Sequence, residues 1–128
     1  MTSKVNFACP CGSGQTYDDC CGRYISGAAA APDAEALMRS RYSAYTLSDE
    51  AYLRATWDER TLPAERLAHD EPTKWLGLEV KKHTPQGEQA TVEFVARYKI
   101  GGRAQRLHEV SRFVKHDGKW FYVDGSFP

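Results

Sequence analysis

The sequence predicts an α+β fold, with helices first, antiparallel strands after them, and a small metal-binding segment ahead of both. Three observations carry this. All four cysteines fall between positions 9 and 21, and the rest of the 128-residue chain has none. From Asp33 to Trp57 apolar residues recur at helical spacing, and from Lys74 onward the period changes to two. Helices grouped before strands, with no alternation of the two, indicate α+β layering instead of parallel βαβ units.

The first segment reads Ala8-Cys9-Pro10-Cys11-Gly12-Ser13-Gly14, then Tyr17-Asp18-Asp19-Cys20-Cys21-Gly22. Four sulfur ligands at about 2.3 Å satisfy tetrahedral zinc, and a site closed by four protein ligands is structural, with no position for water or substrate. Structural Zn2+ bound by Cys9, Cys11, Cys20 and Cys21 is therefore the expected cofactor. Four-thiolate iron–sulfur ligation and a pair of disulfides are the alternatives. Disulfides need an oxidising compartment, and residues 1–10 contain no apolar run suited to a secretory signal. A Cys20–Cys21 bridge would also join α-carbons only about 3.8 Å apart. Gly12 and Gly14 let the backbone wrap the ion, and Gly22 is expected to end a tight turn after Cys21.

Hydrophobic residues make up 41% of the chain and aromatic residues 12%, as in an ordinary globular protein. At this length about two thirds of the unfolded surface can be buried, enough for one core. Residues 1–27 are too few for a core of their own and need the metal for it. Residues 28–33 read as a linker punctuated by Pro32, and residues 34–128 as the larger domain. No run approaches the roughly 18 apolar residues of a membrane helix, so no membrane partner is expected. Reduced cysteines without an address signal point to the cytoplasm. Seventeen basic and seventeen acidic residues cancel, but residues 33–71 hold nine acids and five bases while residues 74–119 hold five acids and ten bases. Solvated faces of ordinary elements account for this, because the bases are spread over several segments; a basic sheet face for an anionic partner is the alternative.

Asp33 is a fitting N-cap for a helix to Leu47, with Met38, Tyr42 and Tyr45 at i, i+4 and i+7. Ser48 is expected to cap a second helix reaching about Trp57, stapled by Leu47 and Tyr52, with Asp49 and Glu50 in its first turn. A third, short helix is expected from about Pro63 to His69. Leu76, Leu78 and Val80 then alternate with Gly77, Glu79 and Lys81, and Pro85-Gln86-Gly87 closes that strand. Thr91 to Ile100 follows, with Val92, Phe94, Ala96 and Tyr98 on one face, and Gly101-Gly102 makes a hairpin turn. Ala104 to Lys115 reads as the longest strand, and Asp117-Gly118 turns into Trp120 to Val123.

Cys9-Pro10-Cys11-Gly12-Ser13-Gly14 through Tyr17 to Cys20-Cys21-Gly22 resembles the SEC-C motif, first described at the tail of the bacterial preprotein translocase motor. The stretches Ala34 to Tyr45, Val92 to Tyr98, His108 to Phe113 and Trp120 to Gly125 resemble the YchJ family, whose proteins join an SEC-C motif to a nuclear-transport-factor-two-like domain. The likeness covers nearly the whole chain. It implies a cone-shaped sheet wrapped around the helices, with a pocket between them. The translocase tail usually has His where this chain has Cys21. Gln15, Thr16, Asp18 and Asp19 occupy a stretch that is often lysine-rich in such motifs.

On strand 104–115, Leu107, Glu109, Ser111 and Phe113 share one face, while His108, Val110, Arg112 and Val114 share the other. Tyr42, Trp57, Glu109 and Arg112 are the candidate residues for a pocket or a polar core. An inward Glu109 needs a donor, either an arginine of the next strand or a tyrosine of the first helix. His69, His83 and His116 lie near turns or termini and are expected to be exposed. Trp57, Trp75 and Trp120 alternate with aliphatics, as core residues do, which speaks against direct nucleic-acid binding. No nucleophile motif or phosphate loop is present.

Two functions follow. The favoured one is a non-enzymatic adaptor, monomeric or homodimeric, whose zinc knuckle docks a protein or ribonucleoprotein partner. The other is a small-molecule binder or enzyme using the cavity of the larger domain. A cavity holding polar groups of shifted pKa favours the second, and a filled core the first.

Overall fold

A computed structural model describes residues 7–68 and 73–128. A 3-10 turn at Tyr17–Asp19 leads into α1 (Cys21–Ile25), then α2 (Ala34–Thr46) and α3 (Glu50–Ala55). Four strands follow: β1 (Thr73–Gln86), β2 (Gln89–Ile100), β3 (Arg103–His116) and β4 (Lys119–Ser126). They pair antiparallel in the order β1-β2-β3-β4, a meander in which each strand neighbours the next in sequence. The helices pack on the concave face of this curved sheet, in agreement with the α+β expectation.

α2 begins where the sequence indicated. The Asp33 carboxylate accepts from the Ala36 amide at 2.8 Å, satisfying one of the free donors of the first turn. Leu37, Met38, Tyr42 and Ala44 are buried, but so are Ser40, Arg41 and Ser43. α2 is thus covered on polar sides as well as apolar ones, with the cysteine segment, α3 and the sheet all against it. Ser40 shows how this is tolerated: its Oγ meets the Leu37 carbonyl at 2.8 Å and the Tyr52 hydroxyl at 2.7 Å.

The second helix is capped one residue later than the sequence suggested. Asp49 is the N-cap, accepting from the Tyr52 amide at 3.0 Å, while Ser48 takes a left-handed φ of 56° to turn the chain. The shift dissolves the expected staple, and Leu47 is exposed. The helix ends at Ala55 instead of Trp57, because the Trp57-Asp58 backbone leaves to pair with Tyr122 of β4. The third helix does not form over the described residues 63–68; His69 lies outside the described residues. Side chains of α3 take its backbone groups instead. Glu50 accepts from the amides of Leu67 and Ala68, and Arg54 donates to the carbonyls of Pro63 and Glu65.

In β1 a bulge between Trp75 and Gly77 puts Trp75, Leu78 and Val80 against the core and leaves Leu76 exposed, correcting the simple alternation. A second bulge falls between Val80 and Lys82, and together the two bend the sheet. β1 runs through Pro85 to Gln86 and equals β3 in length, both having 14 residues. Two of the three hairpin turns, Gly101-Gly102 and Asp117-Gly118, have positive φ at both central residues, which suits the twist of the flanking strands. The convex face carries cross-strand polar pairs such as Arg112–Asp124 and His108–Glu93. Among the described residues no helix is long and apolar enough to cross a membrane.

Asp49→Ala should lower stability by about 1 kcal/mol through loss of the cap. Ser48→Gly should leave it unchanged or raise it by up to about 1 kcal/mol, since glycine accepts the left-handed φ freely. Urea unfolding of both variants checks this; a larger loss at Ser48 than at Asp49 would contradict the cap assignment.

Candidate functional site

The cysteine segment closes on itself through backbone bonds. The Cys9 amide donates to Gln15 O at 2.9 Å and the Gly12 amide to Cys9 O at 3.1 Å, while Gly12 takes a φ of 78° between them. The second pair starts from the 3-10 turn, whose Tyr17 carbonyl accepts from the Cys20 amide at 3.0 Å. Gly22 does not end this turn; it lies inside α1. Glycine is required there because a Cβ would come within 2.7 Å of the Tyr17 carbonyl oxygen. The four cysteines are free of disulfides and buried, and their sulfurs all lie within 4.8 Å of one another. Cys11 Sγ and Cys20 Sγ are 3.6 Å apart. That is far beyond an S–S bond of about 2.05 Å. It is close to the roughly 3.8 Å edge of a tetrahedron with 2.3 Å metal–sulfur bonds. The donor set therefore fits a four-coordinate metal.

The electrostatics agree. Hydrogen bonds from Cys11 and Cys21 hold the Cys9 thiol far below the thiol range. The same contacts, first with Cys11 and then with Cys9, push Cys21 far above it, and burial raises Cys20. Sulfurs this crowded share negative charge poorly, and a cation among them is what lets all four ionise together. α2 supports the cluster from outside. Arg39 donates to the Cys11 carbonyl at 3.0 Å while paired with Glu35, and Ser43 Oγ lies 3.6 Å from Cys9 Sγ, one helical turn further on. Ser13 Oγ lies 3.1 Å from Cys20 Sγ.

A second feature is a cavity of 310 Å³ between α2 and the concave sheet face. Tyr42, Trp57 and Glu109 line it; Arg112 does not. Arg112 sits on the convex face, its side chain 62% exposed, bonded to both Asp124 oxygens at 2.6 Å. Glu109 is buried, and its Oε2 accepts from Ser111 Oγ at 2.6 Å and Tyr122 OH at 2.9 Å. These donors come from its own strand and from β4, not from the first helix or a neighbouring arginine. Burial, and then the Glu109 charge, pushes the Tyr122 phenol well above its ordinary value, so it stays a donor. Gly125 makes room for the carboxylate, since a Cβ there would run into it.

Sequence reasoning left Arg41 without a role, yet it is the cavity's other charged group. Its Nη1 donates to Leu53 O at 2.8 Å and Thr56 Oγ1 at 2.7 Å. Its guanidinium carbon lies 5.2 Å from the Trp57 ring centre and 4.7 Å from that of Tyr122. The available signal was an arginine one residue before Tyr42, within the apolar stripe of α2. His83, expected in solvent, is half-buried on β1, with Nδ1 3.8 Å from Glu35 and Nε2 without a partner among the described residues. His116 is exposed as expected.

Comparison with known proteins bears on both features. Residues 8–23 match the SEC-C motif, and residues 33–125 match the family described as YchJ, middle NTF2-like domain. A UPF0225 protein of Ralstonia nicotianae is 58% identical, over 92% of this chain and 90% of its own length. A UPF0225 protein of Chromobacterium violaceum is 54% identical over 98% of both chains. The solution structure of a SEC-C motif containing protein from Rhodopseudomonas palustris superposes with a TM-score of 0.84 at 41% identity, covering 94% of this chain and 98% of that one. The crystal structure of a SEC-C motif containing protein from Psychrobacter arcticus gives a TM-score of 0.74 at 32% identity, covering 94% and 82%.

Glu109→Ala should destabilise the fold by about 1–3 kcal/mol, because it strands the buried hydroxyls of Ser111 and Tyr122. Glu109→Gln, which keeps an acceptor for one of them, should cost less. Thermal melts of the two variants check the order.

Proposed function

The chain belongs to the UPF0225 family, joining a SEC-C motif to a YchJ-type NTF2-like domain, and on that footing we propose that it is a zinc-stapled small-molecule-binding protein. The observation that carries this reading is the cavity, where a buried carboxylate and a buried guanidinium face each other's field among aromatic walls. A core serving only to support a docking module would be filled. Polar groups held at this depth, several with shifted pKa values, are the usual furniture of ligand sites. Glu109 and Arg41 orient the ligand, and Tyr42 and Trp57 contribute apolar surface.

The metal in this reading is structural Zn2+, held by Cys9, Cys11, Cys20 and Cys21. Four buried sulfurs leave no open coordination position, so the ion supplies folding energy and no chemistry. Residues 1–27 depend on it, while residues 34–128 keep their own core. Reduced thiolate ligation is consistent with a cytoplasmic protein.

An adaptor role for the knuckle is a second reading, favoured by Phe7. Its ring stacks on Tyr17 at 4.9 Å beside the cysteines and is 45% exposed. A protein or ribonucleoprotein partner could cover it.

Elemental analysis of freshly purified, reduced protein should give one zinc per chain. Cys21→His should retain zinc and Cys21→Ser should lose most of it. Arg39→Ala should weaken zinc retention against a chelator by about 10- to 100-fold without touching a ligand. Chelation should abolish amide protection in the cysteine segment and lower the melting temperature of the larger domain while leaving its transition cooperative. Native mass spectrometry of protein from cell extract decides between the readings. A co-purifying small molecule lost in Glu109→Gln supports the cavity. A discrete partner lost in Phe7→Ser, with no small molecule retained, supports the adaptor.

A further inference from the structure

The cavity reading can be carried to a ligand class. Glu109 is 7% exposed, and both of its hydrogen bonds end on Oε2. Among the described residues Oε1 has no donor, yet it is not sealed away as a buried unpartnered atom. Glu109 lines the cavity, and Oε1 is the oxygen of its carboxylate left without a partner. A buried carboxylate oxygen wants a donor, and here the ligand is placed to provide one.

The remaining walls are mostly aromatic rings, completed by Met38, Leu67, Ala96, Leu107 and Ser111. Tyr42 meets Trp75 edge-on at 5.4 Å, and Trp57 meets Tyr122 edge-on at 4.7 Å. Such walls favour a flat, polarisable body. Arg41 sets the charge. Two protein acceptors occupy its Nη1 and two rings lie against its guanidinium, so its charge offsets that of Glu109 across the cavity. The cavity therefore holds one charge of each sign. A ligand anion would be buried against Glu109, and a ligand cation against Arg41. A neutral donor avoids both.

Resting on the cavity reading, we infer that the site takes an uncharged, planar aromatic or heteroaromatic molecule that donates an N–H or O–H hydrogen bond to Glu109 Oε1. The test uses the zinc-loaded full chain, labelled with nitrogen-15, and three probes of one shape: indole, 1-methylindole and indole-2-carboxylate. Indole should shift the amides of Ser111 and Tyr122 and the side-chain N–H signals of Trp57 and Trp75. The methylated and carboxylate probes should bind at least tenfold more weakly, and Glu109→Gln should reduce indole binding by a similar factor. Equal binding of 1-methylindole would overturn the inference by showing that no donor is read. Equal or tighter binding of the carboxylate would overturn it by assigning recognition to Arg41. Either result leaves the cavity reading standing, since a probe is bound. Absence of shifts at cavity residues with all three probes at millimolar concentration would overturn the inference and the cavity reading together. The wild-type comparison stands even where Glu109→Gln fails to fold.

Discussion

A buried positive charge organises the centre of this protein. Arg41 projects from α2 into the space between helices and sheet, 5% exposed, and every neighbour is arranged around that fact. The end of α3 gives it the Leu53 carbonyl and the Thr56 hydroxyl. The chain after α3 brings Trp57 over it, and β4 brings Tyr122. Tyr122 in turn bonds Glu109 on β3, whose charge opposes that of Arg41. Stripping such a group of its partners would cost several kcal/mol, which is a large share of the stability of a domain this size. The pairing of Trp57 with Tyr122, and so the path of the loop after α3, follows from it.

α2 carries this constraint to the cysteine segment. Arg41 looks into the cavity, while Arg39 and Ser43, four residues apart on another side of the same helix, meet Cys11 and Cys9. The cysteines accordingly fall in one packed cluster with Leu37, Met38, Val92 and Trp120. The cysteine loop is a surface of the larger domain's core as much as a separate module. A SEC-C motif without this helix would lack two of the contacts that orient its sulfurs.

How much of this was legible depended on whether a local signal had one reading. The Asp33 cap and the Gly101-Gly102 and Asp117-Gly118 turns each had one, and each is found in the structure; the cysteine spacing had several, of which the four free, clustered thiols set aside the disulfides. Alternation along β3 correctly put Glu109 and Arg112 on opposite faces, because that strand has no bulge of its own over those residues, but it did not tell which face is buried. β1 does have them, and nothing in Trp75-Leu76-Gly77 announced that Leu76 would be looped out. Ser48 and Asp49 are both good caps by composition. Only the need for a left-handed turn after α2 selects Asp49. The helix expected after Pro63 failed because Glu50 and Arg54 claim its backbone groups from 9 to 18 residues away, an effect that no local pattern reports. The donors to Glu109 were misassigned for the same reason: Tyr122 is close only after the sheet has formed.

The meander also dictates an order of events during folding. Each strand pairs with its successor across a two-residue turn, so the sheet can zip from its hairpins with little loss of loop entropy. The parallel bridge between Trp57 and Tyr122 is different, because it joins segments 65 residues apart and cannot close until β4 is docked. The Arg41 environment is therefore among the last parts to assemble. Until then the guanidinium stays hydrated, which spares the collapsing chain an unpaired charge in its interior. Substitutions at Trp57 or Tyr122 consequently act on the rate of unfolding more than on the rate of folding, as expected of contacts made after the barrier.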